Sequence, residues 1–339
     1  MQDRVRDWFA RRTYDGWQWT ASELAQKKEL SGTSVSVVLP ALDEEATVGG
    51  IVAAIVRELV ERVALVDEVI VMDSGSTDAT AVVAAEAGAR VVAASAVVPW
   101  MGARRGKGEA LWKSLFVASG DIVVFVDADL RRFTPRFVVG LLGPLLTDRS
   151  LVYVKGAYDR PLMGGSSTKP TGVGGRVTEL LARPLINVHW PELSGFVQPL
   201  GGEYAGRRNA LMKVPFPTGY GVEIALLVDL LHRHGLYSLG QVDLGRRVHS
   251  HQSDEGLSRM ASEVLHTAQR RLGGASLRGD VLHQFRRGQG GSYDLVQWQV
   301  PTEERPPVAT VLAELAADSG AGRPMSDDAD PDDLGLLTG

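Results

Sequence analysis

The sequence predicts an α/β protein built on a mostly parallel central sheet, with helices packed on both faces. Short apolar segments alternate with longer amphipathic ones through residues 35–130. The short segments are apolar at every position, which is typical of strands buried on both faces of a parallel sheet. Polar clusters follow several of these segments, at the carboxyl ends of strands where α/β sheets bind ligands.

The first half of the chain shows the alternation most clearly. Residues 35–39 are apolar and β-branched and stop at Pro40, which predicts a buried strand. Thr47 precedes an amphipathic run over 48–60, which predicts a helix. The same criteria predict further strands at 69–72, 90–92 and 122–126, and further helices at 79–87 and 109–118.

The second half is less regular. Residues 164–175 are rich in Gly, Ser and Thr, which predicts a mobile loop. Helical spacing of apolar residues predicts helices at 176–186, 219–234 and 256–272, and apolar runs predict strands at 151–158 and 236–244. We expect two parts of one unit, a nucleotide-binding half at 31–160 and a second part at 161–300.

Composition excludes several classes of protein. The net charge is −5, and residues 318–339 hold six acidic residues against one arginine, so the body is nearly neutral. A dedicated nucleic-acid binder usually carries a basic excess, and we expect no nucleic-acid partner. The chain has no cysteine, which excludes disulfides and zinc–thiolate sites. No apolar run is long enough to span a membrane, so the predicted location is cytoplasmic.

The two ends of the chain carry separate predictions. Residues 1–30 are predicted to be a helical segment, and Trp8 and Phe9 lie among arginines in its first part. We expect that helix to pack on its own domain rather than on a membrane or partner. Residues 318–339 consist largely of Gly, Pro, Ser and Asp, which predicts an acidic, disordered tail.

The pair Asp127 and Asp129 is the most informative group. The two carboxylates are two residues apart at the end of an apolar strand, so they point roughly the same way. Unpaired charges beside buried residues are costly, and a divalent cation removes that cost. Mg²⁺ is usually held by one or two carboxylates and the phosphates of a substrate. The pair therefore predicts a metal site, the alternative being a helix cap with a surface acid.

Lys107 lies between two glycines at the start of a predicted helix. Backbone N–H groups and the helix dipole favour an anion there, and the lysine would neutralise a diphosphate leaving group. The spacing of the surrounding glycines is not that of a P-loop. A plain helix start is the alternative.

Acidic residues after the first strand exclude a dinucleotide-binding loop. The segment Pro40–Glu45 has no glycine pattern and carries three acids, which repel pyrophosphate. Glu44 or Glu45 would instead bind a base or ribose. Asp73, after the next strand, offers the same chemistry, or else belongs to a capped helix start.

Two later clusters are candidates for binding anions or metal. Gly175 and Arg176 open a helix, and the arginine fork fits a phosphate or carboxylate; a surface arginine is the alternative. His249 and His251 follow the last predicted strand. His249 would be a metal ligand through its neutral imidazole, the alternative being a structural histidine.

Together these blocks resemble the retaining glycosyltransferases of the GT-A fold. The shared blocks are 37–45, 71–78, 106–108 and 126–129. Blocks 199–203, 220–223 and 242–245, with His249 behind them, narrow the resemblance to glucosyl-3-phosphoglycerate synthases. The similarity extends from about residue 5 to 285.

The resemblance implies transfer of glucose from UDP-glucose to the 2-hydroxyl of 3-phosphoglycerate with retention of configuration. It also implies Mg²⁺ (with Mn²⁺ or Co²⁺ as substitutes), a homodimer and a role in methylglucose lipopolysaccharide biosynthesis. The implied uridine-binding residues are Pro40, Ala41, Leu42, Glu44 and Ser74. Lys107, Asp127 and Ala128 would contact the rest of the nucleotide, and Glu223 the glucose hydroxyls.

The resemblance also assigns the metal and acceptor sides. Asp129 and His249 would hold the metal, and the backbone carbonyl of Leu200 would face the reacting centre. Lys107, Asp129, Leu200 and Glu223 are thus the expected catalytic group. The implied acceptor residues are Gly175, Arg176, Thr178, Tyr220 and His251. Two positions depart from the family pattern: His251 replaces an expected asparagine, and Gly201 an expected alanine.

Three other functions fit parts of the pattern. A related transferase would use GDP-mannose or GDP-glucose, because the motifs do not fix the donor base. A nucleotidyltransferase shares the sheet and the paired acids, but usually has a basic glycine-rich loop after its first strand. A non-enzymatic module would bind UDP-sugar without turnover.

Overall fold

A single eight-stranded sheet forms the centre of the molecule. The structure is a computed structural model that describes residues 1–159, 175–246, 254–273, 279–287 and 291–320. In spatial order the strands are β1 (Thr13–Asp15), β9 (Leu239–Arg246), β6 (Tyr153–Asp159), β7 (Tyr204–Arg207), β5 (Ile122–Phe125), β2 (Val35–Ala41), β3 (Glu68–Asp73) and β4 (Arg90–Ala93).

Helices cover the sheet. They are α1 (Gln2–Arg12), α2 (Ala21–Ser31), α3 (Val48–Ile55), α4 (Thr80–Glu86), α5 (Lys107–Val117), α6 (Arg136–Thr147), α7 (Arg183–His189), α8 (Arg208–Leu211), α9 (Val222–His234), α10 (Asp254–Arg271) and α11 (Val308–Gly320). Wide helical turns at Val56–Glu61 and Thr178–Ala182 extend α3 and lead into α7. Short 3₁₀ turns lie at Ala94–Ala96, Pro99–Met101, Pro191–Gly195 and Leu236–Ser238.

Two smaller sheets complete the structure. Strand β8 (Phe216–Pro217) pairs with β12 (Glu304–Arg305), and β10 (Val281–Arg287) forms a hairpin with β11 (Tyr293–Gln299). The first pair places residues 304–305 beside the segment that leads into α9. The hairpin carries exposed apolar side chains, including Phe285 and Tyr293.

The main sheet is parallel except at β7. Strand β7 runs antiparallel to both of its neighbours, β5 and β6. In the parallel part, Ala41 pairs with Asp73, so the ends of β2 and β3 lie at one edge. Val37 and Leu39 belong to the apolar cluster on one face and Val38 to the cluster on the other. This two-sided burial explains why the strand is apolar throughout.

Helix α1 packs on its own domain, as expected. Trp8 is fully buried, and its Nε1–H donates to the carbonyl oxygen of Leu239 at 2.9 Å. Its ring lies against Phe196 with 4.6 Å between centroids. Within the described ranges, no helix combines the length and the apolar character that crossing a membrane requires.

The ends of the chain differ in part from the sequence prediction. The first 30 residues are not wholly helical, because β1 pairs with β9 at the edge of the sheet. Three residues are too few to give a strand pattern, and their pairing depends on a partner more than 220 residues away. At the other end, α11 extends through residues 318–320, which were expected to be disordered, and the rest of that tail lies outside the described residues.

Several further elements were not predicted, among them α6 and β7. Pro144 lies inside α6, and prolines usually interrupt helices, which obscures the helical pattern. Strand β7 is four residues long and contains Gly206, so it has little strand character of its own. The predicted loop at 164–175 lies outside the described residues except for Gly175.

Candidate active site

The loops after β2 and β3 form one hydrogen-bonded surface at the carboxyl edge of the sheet. Asp43 Oδ1 accepts from the backbone N–H of Thr77 at 2.7 Å, and the Glu44 N–H donates to Thr80 Oγ1 at 2.7 Å. Asp73 accepts from Ser76, so its carboxylate is used by the turn itself. This agrees with the capped-turn alternative for Asp73.

The residues expected to hold a nucleoside lie on this surface. Pro40 and Ala41 end β2, and the backbone N–H of Ser74 donates to the carbonyl oxygen of Ala41 at 2.9 Å. Leu42 is 54% exposed, although it is a large apolar residue, and Ser74 is also exposed. The edge therefore presents an apolar side chain beside polar groups, a combination that suits a base and ribose.

Asp127 and Asp129 follow β5 at the same edge. The backbone N–H of Val126 still bonds to Val38, and the carbonyl oxygen of buried Ala128 accepts from Thr47 Oγ1 at 2.6 Å. A Cβ on Gly202 would lie 2.2 Å from Asp127 Oδ2. The carboxylate of Asp127 therefore lies directly against the backbone at Gly202, which only glycine permits.

Lys107 joins two carboxylates. Its Nζ lies 2.6 Å from Asp127 Oδ1 and 2.9 Å from Glu223 Oε1. The Lys107 side chain is 15% exposed and that of Glu223 only 4%. Burial alone would lower the pKa of Lys107, but the two carboxylates outweigh it and raise the pKa well above its usual value. The lysine therefore stays charged at any physiological pH.

Two glycines that pack against neighbouring backbone fix the position of Lys107. A Cβ on Gly108 would lie 1.8 Å from the Pro217 carbonyl oxygen, and one on Gly106 would lie 2.3 Å from that of Thr218. The start of α5 therefore touches the backbone that leads into α9, the helix that carries Glu223. The Arg305 guanidinium also forms two hydrogen bonds of 2.7 Å to the Glu109 carboxylate on α5.

A buried lysine forms a hydrogen bond to the turn that contains Leu200. Lys155 Nζ donates to the carbonyl oxygen of Gly201 at 2.7 Å and lies 4.7 Å from the centroid of the Tyr204 ring. Burial lowers the pKa of Lys155 to about 7. Lys155 was not among the predicted site residues, although a lysine within an apolar strand is an unusual residue that can be recognised in the sequence.

The predicted acceptor residues are only partly described. Arg176 is half-exposed and pairs with Asp254 at 2.6 Å, whereas Thr178 is buried. Tyr220 is 41% exposed, and its backbone N–H donates to Glu263 Oε2 at 2.6 Å. Gly175 begins this described range. His249 and His251 lie outside the described residues.

The edge of the sheet has the character of a hard-cation site. Burial raises the pKa of Glu44, and the charges of Asp129, Asp127 and Asp78 raise it further. Carboxylate oxygens crowded in this way fit Mg²⁺ or Mn²⁺. Among the described residues no three acids or histidines are arranged to hold a metal by themselves. His249, the other expected metal ligand, lies outside the described residues.

Comparison with known proteins agrees with this geometry. Residues 36–200 match the model of glycosyl transferase family 2. Glucosyl-3-phosphoglycerate synthase from Mycolicibacterium paratuberculosis is 47% identical over 308 residues, which cover 90% of this chain and 92% of that protein.

Two solved structures share the fold over most of the chain. One is glucosyl-3-phosphoglycerate synthase from Mycobacterium tuberculosis in complex with Mn²⁺, UDP and phosphoglyceric acid. It is 44% identical to this chain with a TM-score of 0.78, and the match covers 88% of this chain and 98% of that chain. The other is mannosyl-3-phosphoglycerate synthase from Rubrobacter xylanophilus: 39% identity, TM-score 0.83, covering 91% and 98%.

The sheet order, the family match and these neighbours confirm the expected GT-A architecture. They also confirm that the chain is a glycosyltransferase. Similarity at this level, extending over nine-tenths of both sequences, shows that the chain belongs to the family of glucosyl-3-phosphoglycerate synthases.

Proposed function

We propose that the chain transfers glucose from UDP-glucose to the 2-hydroxyl of 3-phosphoglycerate, with retention of configuration and with a divalent cation. The observation that carries the proposal is the ion pairing of Lys107 with both Asp127 and Glu223 at the carboxyl edge of the sheet. The Mycobacterium tuberculosis enzyme, similar over 88% of this chain, is solved with Mn²⁺, UDP and phosphoglyceric acid.

The donor would lie along the edge formed by β2, β3 and β5. Its uridine would contact the residues at the ends of β2 and β3, and its diphosphate would approach Asp127, Ala128 and Lys107. Glu223 would bind glucose hydroxyls. The exposed side chain of Leu42 and the rigid loops around it support this placement. The uridine contacts would come from Pro40, Ala41, Leu42, Glu44 and Ser74.

Asp129 and His249 would hold Mg²⁺, with Mn²⁺ or Co²⁺ as substitutes. When bound, the cation would supply positive charge to the diphosphate of the leaving UDP. One or two protein ligands are enough, because the substrate phosphates complete the coordination of such ions. Lys107 adds a fixed charge that needs no reorganisation during the reaction.

The acceptor would bind through its negative charges. Arg176 would hold the phosphate with its planar fork, assisted by Gly175 and Thr178, and Tyr220 and His251 would lie beside it. Arg176 is paired with Asp254 in this structure. Because that pair is largely exposed, an anionic substrate can replace the aspartate at low cost.

We propose attack on the same face of the sugar from which UDP leaves. The acceptor 2-hydroxyl oxygen forms the new bond to the anomeric carbon as the bond to the UDP oxygen breaks. The hydroxyl proton passes to a phosphate oxygen of the departing UDP. The backbone carbonyl of Leu200, in the turn that Lys155 holds, would face the positive charge that develops on the sugar.

A second candidate is transfer of mannose from GDP-mannose. The observation that favours it is the similarity to the Rubrobacter xylanophilus mannosyl-3-phosphoglycerate synthase, which has a TM-score of 0.83. Nucleotidyl transfer is disfavoured, because acids follow β2 where such enzymes usually have a basic glycine-rich loop.

A substrate panel separates these functions. UDP-glucose, GDP-mannose and GDP-glucose are each incubated with Mg²⁺ and 3-phosphoglycerate, and nucleoside diphosphate release is measured. We expect release from UDP-glucose only in the presence of 3-phosphoglycerate, and an α-glucoside by NMR. Faster turnover of GDP-mannose would favour the second candidate, and binding without turnover would contradict both.

Asp129→Ala tests the metal assignment. We expect kcat to fall by about 10²–10³, because stabilisation of the leaving group is lost. Titration calorimetry should show loss of the Mg²⁺-dependent part of UDP binding. Asp3→Ala, at an exposed position in the first turn of α1, is the control. Unchanged turnover and UDP binding in Asp129→Ala would contradict the assignment.

Arg176→Ala tests the acceptor assignment. Loss of a charge-assisted contact should raise the KM for 3-phosphoglycerate about 10- to 100-fold. The KM for UDP-glucose should change much less. Leu180→Ala, at a 79% exposed position of the same turn, is the control. Equal rises of both KM values in Arg176→Ala would place Arg176 outside the acceptor site.

We also propose a cytoplasmic homodimer whose product serves methylglucose lipopolysaccharide biosynthesis, as the resemblance implies. The exposed apolar side chains of the β10–β11 hairpin, Phe285 at 67% and Tyr293 at 61%, support a covered surface. Light scattering should give twice the 36.5 kDa mass of the chain, and a monomer at micromolar concentration would contradict the dimer.

A further inference from the structure

We propose that Glu263, on α10, is a positioning residue for the acceptor side of the site. Its carboxylate fixes the turn Gly219–Gly221, which presents Tyr220 and opens the helix that carries Glu223. The inference rests on the proposed function, because it assigns Tyr220 to the acceptor side.

The contact between α10 and this turn is unusually close. Glu263 Oε2 accepts from the backbone N–H of Tyr220 at 2.6 Å, and Glu263 is only 6% exposed. A Cβ on Gly219 would lie 1.9 Å from the same oxygen, and one on Gly221 would lie 1.9 Å from Thr267 Oγ1. Both glycines are therefore needed for α10 to reach the backbone on each side of Tyr220.

The carboxylate lies where α9 needs a negative group. Helix α9 begins after Gly221, which has no side chain to cap the helix. The first turn of a helix has unpaired N–H groups and a partial positive charge. Glu263, on a neighbouring helix, accepts from the N–H of Tyr220, one residue before the N-cap, so its negative charge lies beside this end of α9. Through α9 it also helps to fix Glu223, the partner of Lys107.

Helix α10 contacts the acceptor side at a second place. Asp254, its first residue, pairs with Arg176 at 2.6 Å. At the other end, Arg271 pairs with Asp229 on α9 at 2.7 Å and with Glu304 on β12 at 2.5 Å. The helix is thus anchored at its far end and contacts both Arg176 and the backbone of Tyr220.

Glu263 carries a cost that a purely structural residue would avoid. Burial raises its pKa from 4.5 to about 7; the Tyr220 N–H and Arg259 oppose the rise, and Glu223 adds to it. An acid whose pKa is raised by folding is harder to ionise in the folded state, so stability is lost as pH rises through 7. Glutamine would accept the same hydrogen bond without that loss. The presence of an acid where glutamine would make the same hydrogen bond therefore points to a use for its charge.

The test compares Glu263→Gln with the wild-type chain at pH 8 and pH 6. At pH 8 the variant should have a KM for 3-phosphoglycerate about fivefold higher, because a neutral acceptor replaces a charged one. The KM for UDP-glucose should be unchanged. At pH 6, where the wild-type acid is protonated, the two proteins should converge. Glu255→Gln, which removes a charge from the same helix without contacting Tyr220, should behave as wild type at both pH values.

Thermal unfolding gives a readout independent of activity. Glu263→Gln should raise the Tm by about 2–4 °C at pH 8, and this gain should shrink progressively as the pH falls from 7 toward 4.5, because the unfolded chain still ionises the acid above 4.5. A lower Tm together with equal losses for both substrates would show a structural role and overturn the proposal. Wild-type kinetics in Glu263→Gln at pH 8 would also overturn it. Failure of the wild-type chain to use 3-phosphoglycerate would instead contradict the proposed function.

Discussion

The Lys107 ammonium group, held between Asp127 and Glu223, is the interaction on which the rest of the site depends. It joins the start of α5, the segment after β5 and the first turn of α9, the last of which is far from the other two in the sequence. Removing a partner from a buried ion pair leaves an uncompensated charge, which is far more costly than the pair itself. The three elements are therefore constrained to move together.

The backbone around this lysine explains how such a pairing is geometrically possible. Gly106 and Gly108 lie against the carbonyl oxygens of Thr218 and Pro217, and Gly202 lies against the carboxylate of Asp127. At each place a Cβ would lie within 2.3 Å of the neighbouring atom, so that neighbour would have to move. The β8–β12 pair, which includes Pro217, and the bond from Arg305 to Glu109 further hold α5 against this backbone. The charges are thus held by packing as well as by their mutual attraction.

Much of the fold could be predicted from the sequence, because the signals for it are local. The strands at 35–41, 68–73 and 122–125 are largely apolar, and the acids at their ends indicate the edge at which α/β sheets bind ligands. The pairing of Lys107 with Glu223 has no local signal, since it depends on how two distant turns meet. The role of Glu263 likewise has no signal in the sequence, because an acid on an amphipathic helix normally faces water. Strand β1 has none either, because three residues give no pattern.

The reversed direction of β7 has a consequence for how the chain reaches its ligands. Tyr204, the first residue of β7, pairs with Phe125, the last residue of β5. Along β2, β3 and β5 the chain arrives at the binding edge as it leaves a strand, but along β7 it is already there on entry. Residues 200–203 therefore lie at the binding edge before β7 begins, whereas the other loops reach that edge after their strands end. A search that inspects only what comes after each strand would overlook this turn, which we propose to face the sugar.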